Sequence, residues 1–363
     1  PPVSAWLSDS YPESSPTGSV FLSAFTTKTA VLALILLFPG EPVLIGVGLF
    51  MVMYGIIYAL LENDARRILA YSIVNQVGFM VCAIGIGTQM ALNGAAAHAF
   101  AHILYKALLF MSAGAVIYRT GFSKCTDLGG LFRTMPITTI CGIIGALAIS
   151  GFPLTSGFTT KTMISQAAAD ESLVFVYFML AAASAGVFLH AGIKFPWFVF
   201  FQKDSGLRPN EPPPSMRLAM LLFAALCIGL GIFYQPLYAL LPFTTSYVPY
   251  TGSHVVVQLE LLLFSGLAFF VMLPMLRRTL TITLDTDWLY RRLAPRFAGG
   301  VETLLAMSGA TIRTLLDGAL ARVGALLHRH HGLDGVLART WTTGGMALWA
   351  AILLAAYLLL YYS

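Results

Sequence analysis

Three bases recur at four-residue spacing in AAAHAFAHILYKALLFMSAGAVIY, residues 95–118. His98, His102 and Lys106 therefore project from one face of one helix. The stretch is long enough to cross a bilayer, for which about 20 apolar residues suffice. Lys106 falls near its middle, where an ionisable group costs roughly 2.5–3.5 kcal/mol and persists only against a polar interior or a water-filled path. Lys28 lies close to the midpoint of another apolar stretch, GSVFLSAFTTKTAVLALILLF. Lys161 follows a third, interrupted by Gly151, Pro153 and Gly157. Burial disfavours the charged form of a lysine, and a second cation nearby disfavours it further. Histidine titrates near neutrality. Such residues, with internal water between them, can relay protons by coupled changes of protonation. A paired structural lysine deep in a helix bundle is the competing reading, and a transport pathway is preferred.

Composition states what must position these groups. Hydrophobic residues make up 58% of the chain and charged residues 10%, and the mean hydropathy is +0.80. These values exclude an ordinary soluble domain and indicate an all-α, polytopic transmembrane helix bundle. The net charge of +5 is modest and concentrated in a few loops, so it implies no nucleic acid. Cys82, Cys125, Cys141 and Cys227 form no CxxC or ligand-spaced cluster, which suggests neither a disulfide framework nor an iron–sulfur site. No GxGxxG or Walker pattern follows a strand, and no Ser or Cys has a nucleophile's setting. The expectation is therefore no cofactor and no metal. The chain opens on Pro, and its first residues have neither the basic nor the apolar region of a signal peptide. It is expected to be N-terminally truncated, or to start inside a longer protein.

In chain order, residues 1–16 read as a short interfacial or broken segment anchored by Trp6. Crossings are expected at about 17–38, 43–61, 67–88, 95–118, 135–168, 173–201, 216–241, 255–276 and 344–362. The 135–168 stretch counts as one helix broken inside the membrane; in transporters such breaks mark binding sites. With that count, the basic connections 62–67, 119–133, 202–217 and 277–343 share one side. The connections 39–42, 89–93, 170–172 and 242–254, free of Lys and Arg, share the other. This is the positive-inside pattern, and it places the basic loops in the cytoplasm. His190 and Lys194 stand four apart near one end of a crossing, where both can snorkel to the interface, so they rank below the central lysines. The Asp64/Arg66/Arg67 cluster at a helix start reads equally as an anchor with a local ion pair or as a gating element. His328, His330 and His331 sit in an Arg-rich loop and read as surface histidines. Within 277–343, residues 300–327 have helical periodicity through Leu304, Leu305, Ile312, Leu315, Leu316, Leu320 and Val323, with Arg313 and Arg322 on the polar side. That is the pattern of an interfacial helix. FTTKT occurs at 25–29 and again at 158–162, weak evidence for an inverted repeat.

The stretches WLSDSYPESSPTGSVFLSAFTTK, ENDARRILAYSIVNQVGFM, HAFAHILYKALLF and ISGFPLTSGFTTK resemble the antiporter-like membrane subunits shared by respiratory complex I, group 4 membrane-bound hydrogenases and Mrp-type multisubunit cation/proton antiporters. PTGSVFLSAFTTKTAV and HAGIKFPWFVFF look most like the D-type Mrp subunit. The resemblance implies two inverted five-helix units, each with one broken helix, around a central hydrophilic axis. By position it makes Lys28 the connecting lysine, His98, His102 and Lys106 the central bases of the second unit, and Lys161 the lysine of its broken helix. Asp64 and Arg66 match an Asp-x-Lys motif with Arg in place of Lys. Arg holds its proton more firmly, which argues against titration at 66. The family's first-unit glutamate and broken-helix lysine would precede Pro1. The long basic connection and final crossing resemble the lateral helix and anchor of the largest complex I antiporter-like subunit.

These readings divide the chain into a transmembrane core at 1–276, a basic amphipathic connection at 277–343 and an anchor at 344–363. They make it a proton-translocating subunit of a Na⁺ or other monovalent cation/proton antiporter in a prokaryotic plasma membrane, with other complex subunits, lipid, H⁺ and the cation as partners. The runner-up is a proton-pumping subunit of a redox-driven complex, as an NADH:quinone oxidoreductase or hydrogenase subunit without its own redox cofactor. A scaffold with a vestigial polar axis is the third reading.

Overall fold

The computed structural model describes residues 5–274, 288–307, 310–332, 335 and 342–362. They are almost wholly helical. Elements run α1 (Ala5–Glu13), α2 (Gly18–Leu37), α3 (Val43–Leu61), α4 (Ala65–Ile86), α5 (Gln89–Thr120), α6 (Pro136–Ser150) and α7 (Ser156–Asp170). Then come α8 (Val174–Phe201), α9 (Pro214–Ile232), α10 (Gln235–Tyr238), α11 (Gly252–Val271), α12 (Ala294–Met307), α13 (Ala310–His331) and α14 (Thr343–Tyr362). Eight of these helices are long and apolar enough to cross a membrane.

Two compact units divide the chain, Pro1–Asp287 and Trp288–Ser363. In the first, α4 and α5 form the centre: the apolar window of α4 is 100% buried and that of α5 78%. α5 packs on α2, α4, α6, α7 and α9. With 32 residues it is about 48 Å long, longer than the ~30 Å hydrocarbon layer, and it starts at Gln89, so 89–93 is helix and not loop. The outer helices turn large apolar residues such as Phe21, Phe25, Leu36, Phe175 and Leu263 outward, the surface a lipid-facing bundle requires.

α3 and α4 pack almost backbone to backbone, because small residues line their contact. A Cβ on Gly48 would stand 2.5 Å from the Cys82 nitrogen, and one on Gly55 2.6 Å from the Asn75 nitrogen. The fit holds α4 rigidly, and α4 carries half the polar contacts of the site.

Two expectations are revised. Residues 5–13 form a helix with Leu7, Ser8 and Tyr11 buried, and the Tyr11 ring packs edge-on against Phe110 of α5; only Trp6 keeps the exposed position of an anchor. Within the basic connection the described residues 294–307 and 310–331 are helical, in line with the periodicity of 300–327. Leu316, Leu320 and Val323 are exposed along α13, whereas the side chains of 304, 305, 312, 313 and 315 lie outside the described residues, as do 275–287 and 336–341. His328, His330 and His331 occupy the last turn of α13, where cations complement the helix dipole.

A Leu in place of Gly48 or Gly55 should overpack the α3–α4 contact and cost about 1–3 kcal/mol. It should appear as a lower unfolding temperature in detergent. Gly46→Leu, at a position with nothing within 4 Å, should leave that temperature unchanged.

Candidate functional site

The face of α5 that carries His98, His102 and Lys106 looks into the centre of the first unit, and all three side chains are fully buried. Lys106 Nζ donates to Leu69 O (3.2 Å) and Ser72 Oγ (2.9 Å), both on α4. His98 Nδ1 meets Thr160 Oγ1 of α7 at 2.9 Å, and its Nε2 meets Gln76 Oε1 of α4 at 3.2 Å. Tyr105 OH donates to the same Gln76 oxygen, and Gln76 Nε2 donates to Asn75 Oδ1. His102 sits between these groups with both ring nitrogens buried and without a protein hydrogen-bond partner.

Lys28 and Lys161 extend the row. Lys28, buried on α2, donates to Ser23 O at 2.6 Å and Thr27 Oγ1 at 3.3 Å. Lys161 lies one turn into α7 and donates to Ile149 O at 2.7 Å; its ammonium also stands 5.1 Å from the Phe79 ring centre, a cation–π distance. The break that places it is built locally. Gly151 ends α6 in the left-handed region (φ 73°) and Leu154 is held at φ 69°, a conformation costly for a Leu. A Cβ on Gly157 would overlap Ala148 O, so only glycine lets α7 start against the end of α6. The last carbonyls of α6 then have no helical partner. Lys161 takes Ile149 O, and Gln258 Nε2 of α11 takes Ser150 O. Each half-helix of 15 residues is about 22 Å long, so the pair makes one crossing.

His190 and Lys194 face the protein interior rather than solvent. Both are buried, and Lys194 Nζ donates to Ala59 O, Leu60 O and Glu62 O at the C-terminal end of α3. They lie in a π-helical stretch of α8 (Phe188–Lys194), a form found at functional positions; Pro196 just beyond it cannot donate a backbone bond. His190 Nδ1 bonds Gly186 O, and Nε2 has no protein partner.

Asp64 and Arg66 stand apart from the row. Asp64 is the N-cap of α4, accepting from Arg66 N and Arg67 N, while Arg66 donates to Ser14 O. The ion pairs at this helix start belong to Arg67, with Asp9 and Glu62. The sequence reading missed Tyr105, Gln76, Ser72 and Thr160. Their signal was present: Gln76 and Ser72 are uncharged polar residues four apart inside an apolar stretch, and Tyr105 adjoins Lys106. Among the described residues no three His, Cys, Asp or Glu side chains gather as metal ligands.

A family model described as NADH:quinone oxidoreductase/Mrp antiporter, TM, matches residues 1–188. The chain is 32% identical over 248 residues to the D subunit of the Na(+)/H(+) antiporter of Alkalihalophilus pseudofirmus, covering 65% of this chain and 50% of that protein. It is 30% identical over 250 residues to the N subunit of the NADH-quinone oxidoreductase of Desulforudis audaxviator, with coverage of 64% and 50%. The chain spans from about a quarter to half the length of such curated relatives. Among solved structures, a chain of an archaeal membrane-bound sulfane sulfur reductase superposes with a TM-score of 0.63 at 24% identity, covering 98% of this chain and 65% of that one. That likeness shows a shared fold.

If Asp64 acts as a cap, Asp64→Asn, which accepts the same two bonds, should keep both stability and transport. Asp64→Ala should cost about 1 kcal/mol, read from thermal unfolding. Loss of transport in Asp64→Asn with the fold intact would instead assign the carboxylate a titrating role.

Proposed function

The chain belongs to the NADH:quinone oxidoreductase/Mrp antiporter transmembrane family, and from that premise we propose that it is the proton-translocating subunit of a multisubunit monovalent cation/proton antiporter in a prokaryotic plasma membrane. The observation that carries the proposal is the row of buried bases. Lys28, His102, Lys106, His98 and Lys161 come from α2, α5 and α7, and α4 supplies their neutral hydrogen-bond partners. Two neighbouring ammonium groups in a low-dielectric interior repel strongly, so a proton arriving at one lysine favours its loss at the next. His98 and His102 supply bases between the lysines, and His102, unheld by protein hydrogen bonds, is free to pair with water or change tautomer. His190 and Lys194 form a side arm toward the end of α3. Asp64 and Arg66 are best placed to hold the start of α4.

The identity to a Na(+)/H(+) antiporter component supports the cation/proton reading. The identity to an NADH-quinone oxidoreductase component supports a second, in which the same row is driven by a redox partner. In both, the chain works beside other subunits, its substrates being H⁺ and, in the first, a monovalent cation. Residues 1–276 act as the transport core, 277–343 as an interfacial connection and 344–363 as an anchor.

The test uses the full-length protein with its operon partners in energised everted vesicles. Addition of Na⁺, K⁺ or Li⁺ should collapse the ΔpH. Lys106→Ala should abolish that response in an assembled complex, and so should Lys106→Arg, because Arg keeps the charge but does not release its proton. Full activity in Lys106→Arg would refute the relay. Proton uptake that follows only an electron donor would favour the redox-driven reading.

A further inference from the structure

One chain of hydrogen bonds at the centre of the first unit starts from an atom whose role is fixed. Val52 O of α3 is a backbone carbonyl and can only accept, so the Asn75 group 2.9 Å from it is the amide nitrogen. The Asn75 oxygen then faces Gln76, whose Nε2 donates to it at 2.6 Å. That leaves Gln76 Oε1, an acceptor, turned toward α5, where it takes Tyr105 OH at 3.1 Å and meets His98 Nε2 at 3.2 Å. Turning over either amide, or both, would set two acceptors face to face. The anchor is held by packing: a Cβ on Gly55 of α3 would stand 2.6 Å from the Asn75 nitrogen and 2.8 Å from its Cβ.

The end of this chain decides which ring nitrogen of His98 carries the hydrogen. Gln76 Oε1 has none to give, so Nε2 donates, and in the neutral imidazole Nδ1 is left bare. Nδ1 faces Thr160 Oγ1 of α7 at 2.9 Å. The same hydroxyl lies 3.3 Å from Ser156 O and from Gly157 O in the first turn of α7. It therefore has a partner for either state of the ring. With Nδ1 bare, the hydroxyl donates to it; with Nδ1 protonated, the hydroxyl turns to a carbonyl and accepts from the ring. Tyr105 OH stands 3.3 Å from Nε2, but it could cap a bare Nε2 only by giving up Gln76 Oε1, leaving two lone pairs 3.2 Å apart. Asn75, Gln76, His98, Tyr105 and Thr160 are all fully buried, so bulk water does not compete for these bonds and an unpaired atom is costly.

We propose that Asn75 and Gln76 are positioning residues that hold His98 in its Nε2–H form, and that His98 gains and loses its proton at Nδ1 alone, through Thr160. The proposal rests on the proton-relay reading above and deepens it. In one transfer Thr160 Oγ1 gives its hydrogen to Nδ1 and takes one from a lysine ammonium of the row, directly or through water. The amine is left neutral, the ring is charged, and the hydroxyl turns toward Ser156 O or Gly157 O. Release runs back through the same nitrogen, because loss from Nε2 would bare it against Gln76 Oε1. His98 is then a base that takes up and returns a proton on the side of the broken helix, and not a ring through which protons cross from α7 to α4.

The tautomer is tested without transport. The full-length protein with its partner subunits is labelled with ¹⁵N-histidine, placed in liposomes and observed by solid-state NMR. The His98 signals are those lost in His98→Asn, or in His98→Gln if the first variant does not assemble. At alkaline pH the neutral ring should show its hydrogen on Nε2 and a bare Nδ1. Gln76→Leu, which removes the acceptor, should move hydrogen onto Nδ1 in part of the population. Asn75→Leu, which frees the Gln76 amide to turn over, should do the same and serves if Gln76→Leu fails to assemble. A parental ring with its hydrogen on Nδ1, or on both nitrogens in turn, overturns the lock; a ring unchanged in these variants overturns the part given to Asn75 and Gln76. For the route, Thr160→Val should slow proton transport by roughly 10²-fold, and Thr160→Ser should keep it. Parental rates in Thr160→Val, or an equal loss in Thr160→Ser, overturn the route. A parent complex without proton transport refutes the relay reading and the route with it, while the tautomer stands or falls on its own spectrum.

Discussion

The structure depends on how an ammonium group is kept inside a helix bundle. Among the described residues none of Lys28, Lys106 and Lys161 has a carboxylate within ion-pair distance; each ammonium rests instead on a backbone carbonyl, Ser23 O, Leu69 O or Ile149 O. A buried ion pair would fix the proton on the lysine, because removing it would strand an unpaired carboxylate at a cost of several kcal/mol. A carbonyl partner stabilises the ammonium and tolerates the amine. The choice of neutral acceptors throughout α4 and α7, from Ser72 and Gln76 to Thr160, keeps both protonation states within reach.

Carbonyls free to accept are scarce inside helices, so the fold supplies them at helix ends. α6 stops at Ser150 and offers its last carbonyls to Lys161 and Gln258. α3 stops at Leu61, and Lys194 caps three of its terminal carbonyls. Both are negative ends of helix dipoles, which favour a cation. The cost appears as local strain at Leu154 and as the requirement for glycine at 157. α9 packs on both halves of the broken helix and α8 on α3, and the π-helical stretch of α8 carries His190 and Lys194 to buried positions.

Much of this was legible in the residues. The four-residue spacing of His98, His102 and Lys106, the crossings, and the break before Lys161 are local signals, carried by periodicity and by Gly and Pro. The contacts that tie the site together were not. Gln76 faces His98 because α4 is locked onto α3 through Gly48, Gly55, Gly78 and Gly85, and no local pattern states which face of α4 that leaves for α5. Lys194 looked able to snorkel because its sequence neighbours place it near a helix end; only the position of α3 shows that the nearest polar atoms lie inward. Asp64 looked like a partner for Arg66, yet the backbone direction at a helix start makes it a cap and hands the ion pairs to Arg67.

Lys161 occupies the point where these constraints meet. When charged, it is drawn to the α6 terminus by Ile149 O and to the face of the Phe79 ring; when neutral, it loses both attractions. The same side chain lines a cavity of about 240 Å³ between α7, α8 and α11, while its neighbour Thr160 holds His98 of the central row. A change of charge on Lys161 therefore alters its hold on the broken helix and its availability to the cavity at once. A continuous helix would offer no terminal carbonyl here, and the lysine would need a carboxylate to remain buried. The break is what lets one residue belong to the interior row and to the polar cavity without being fixed in either.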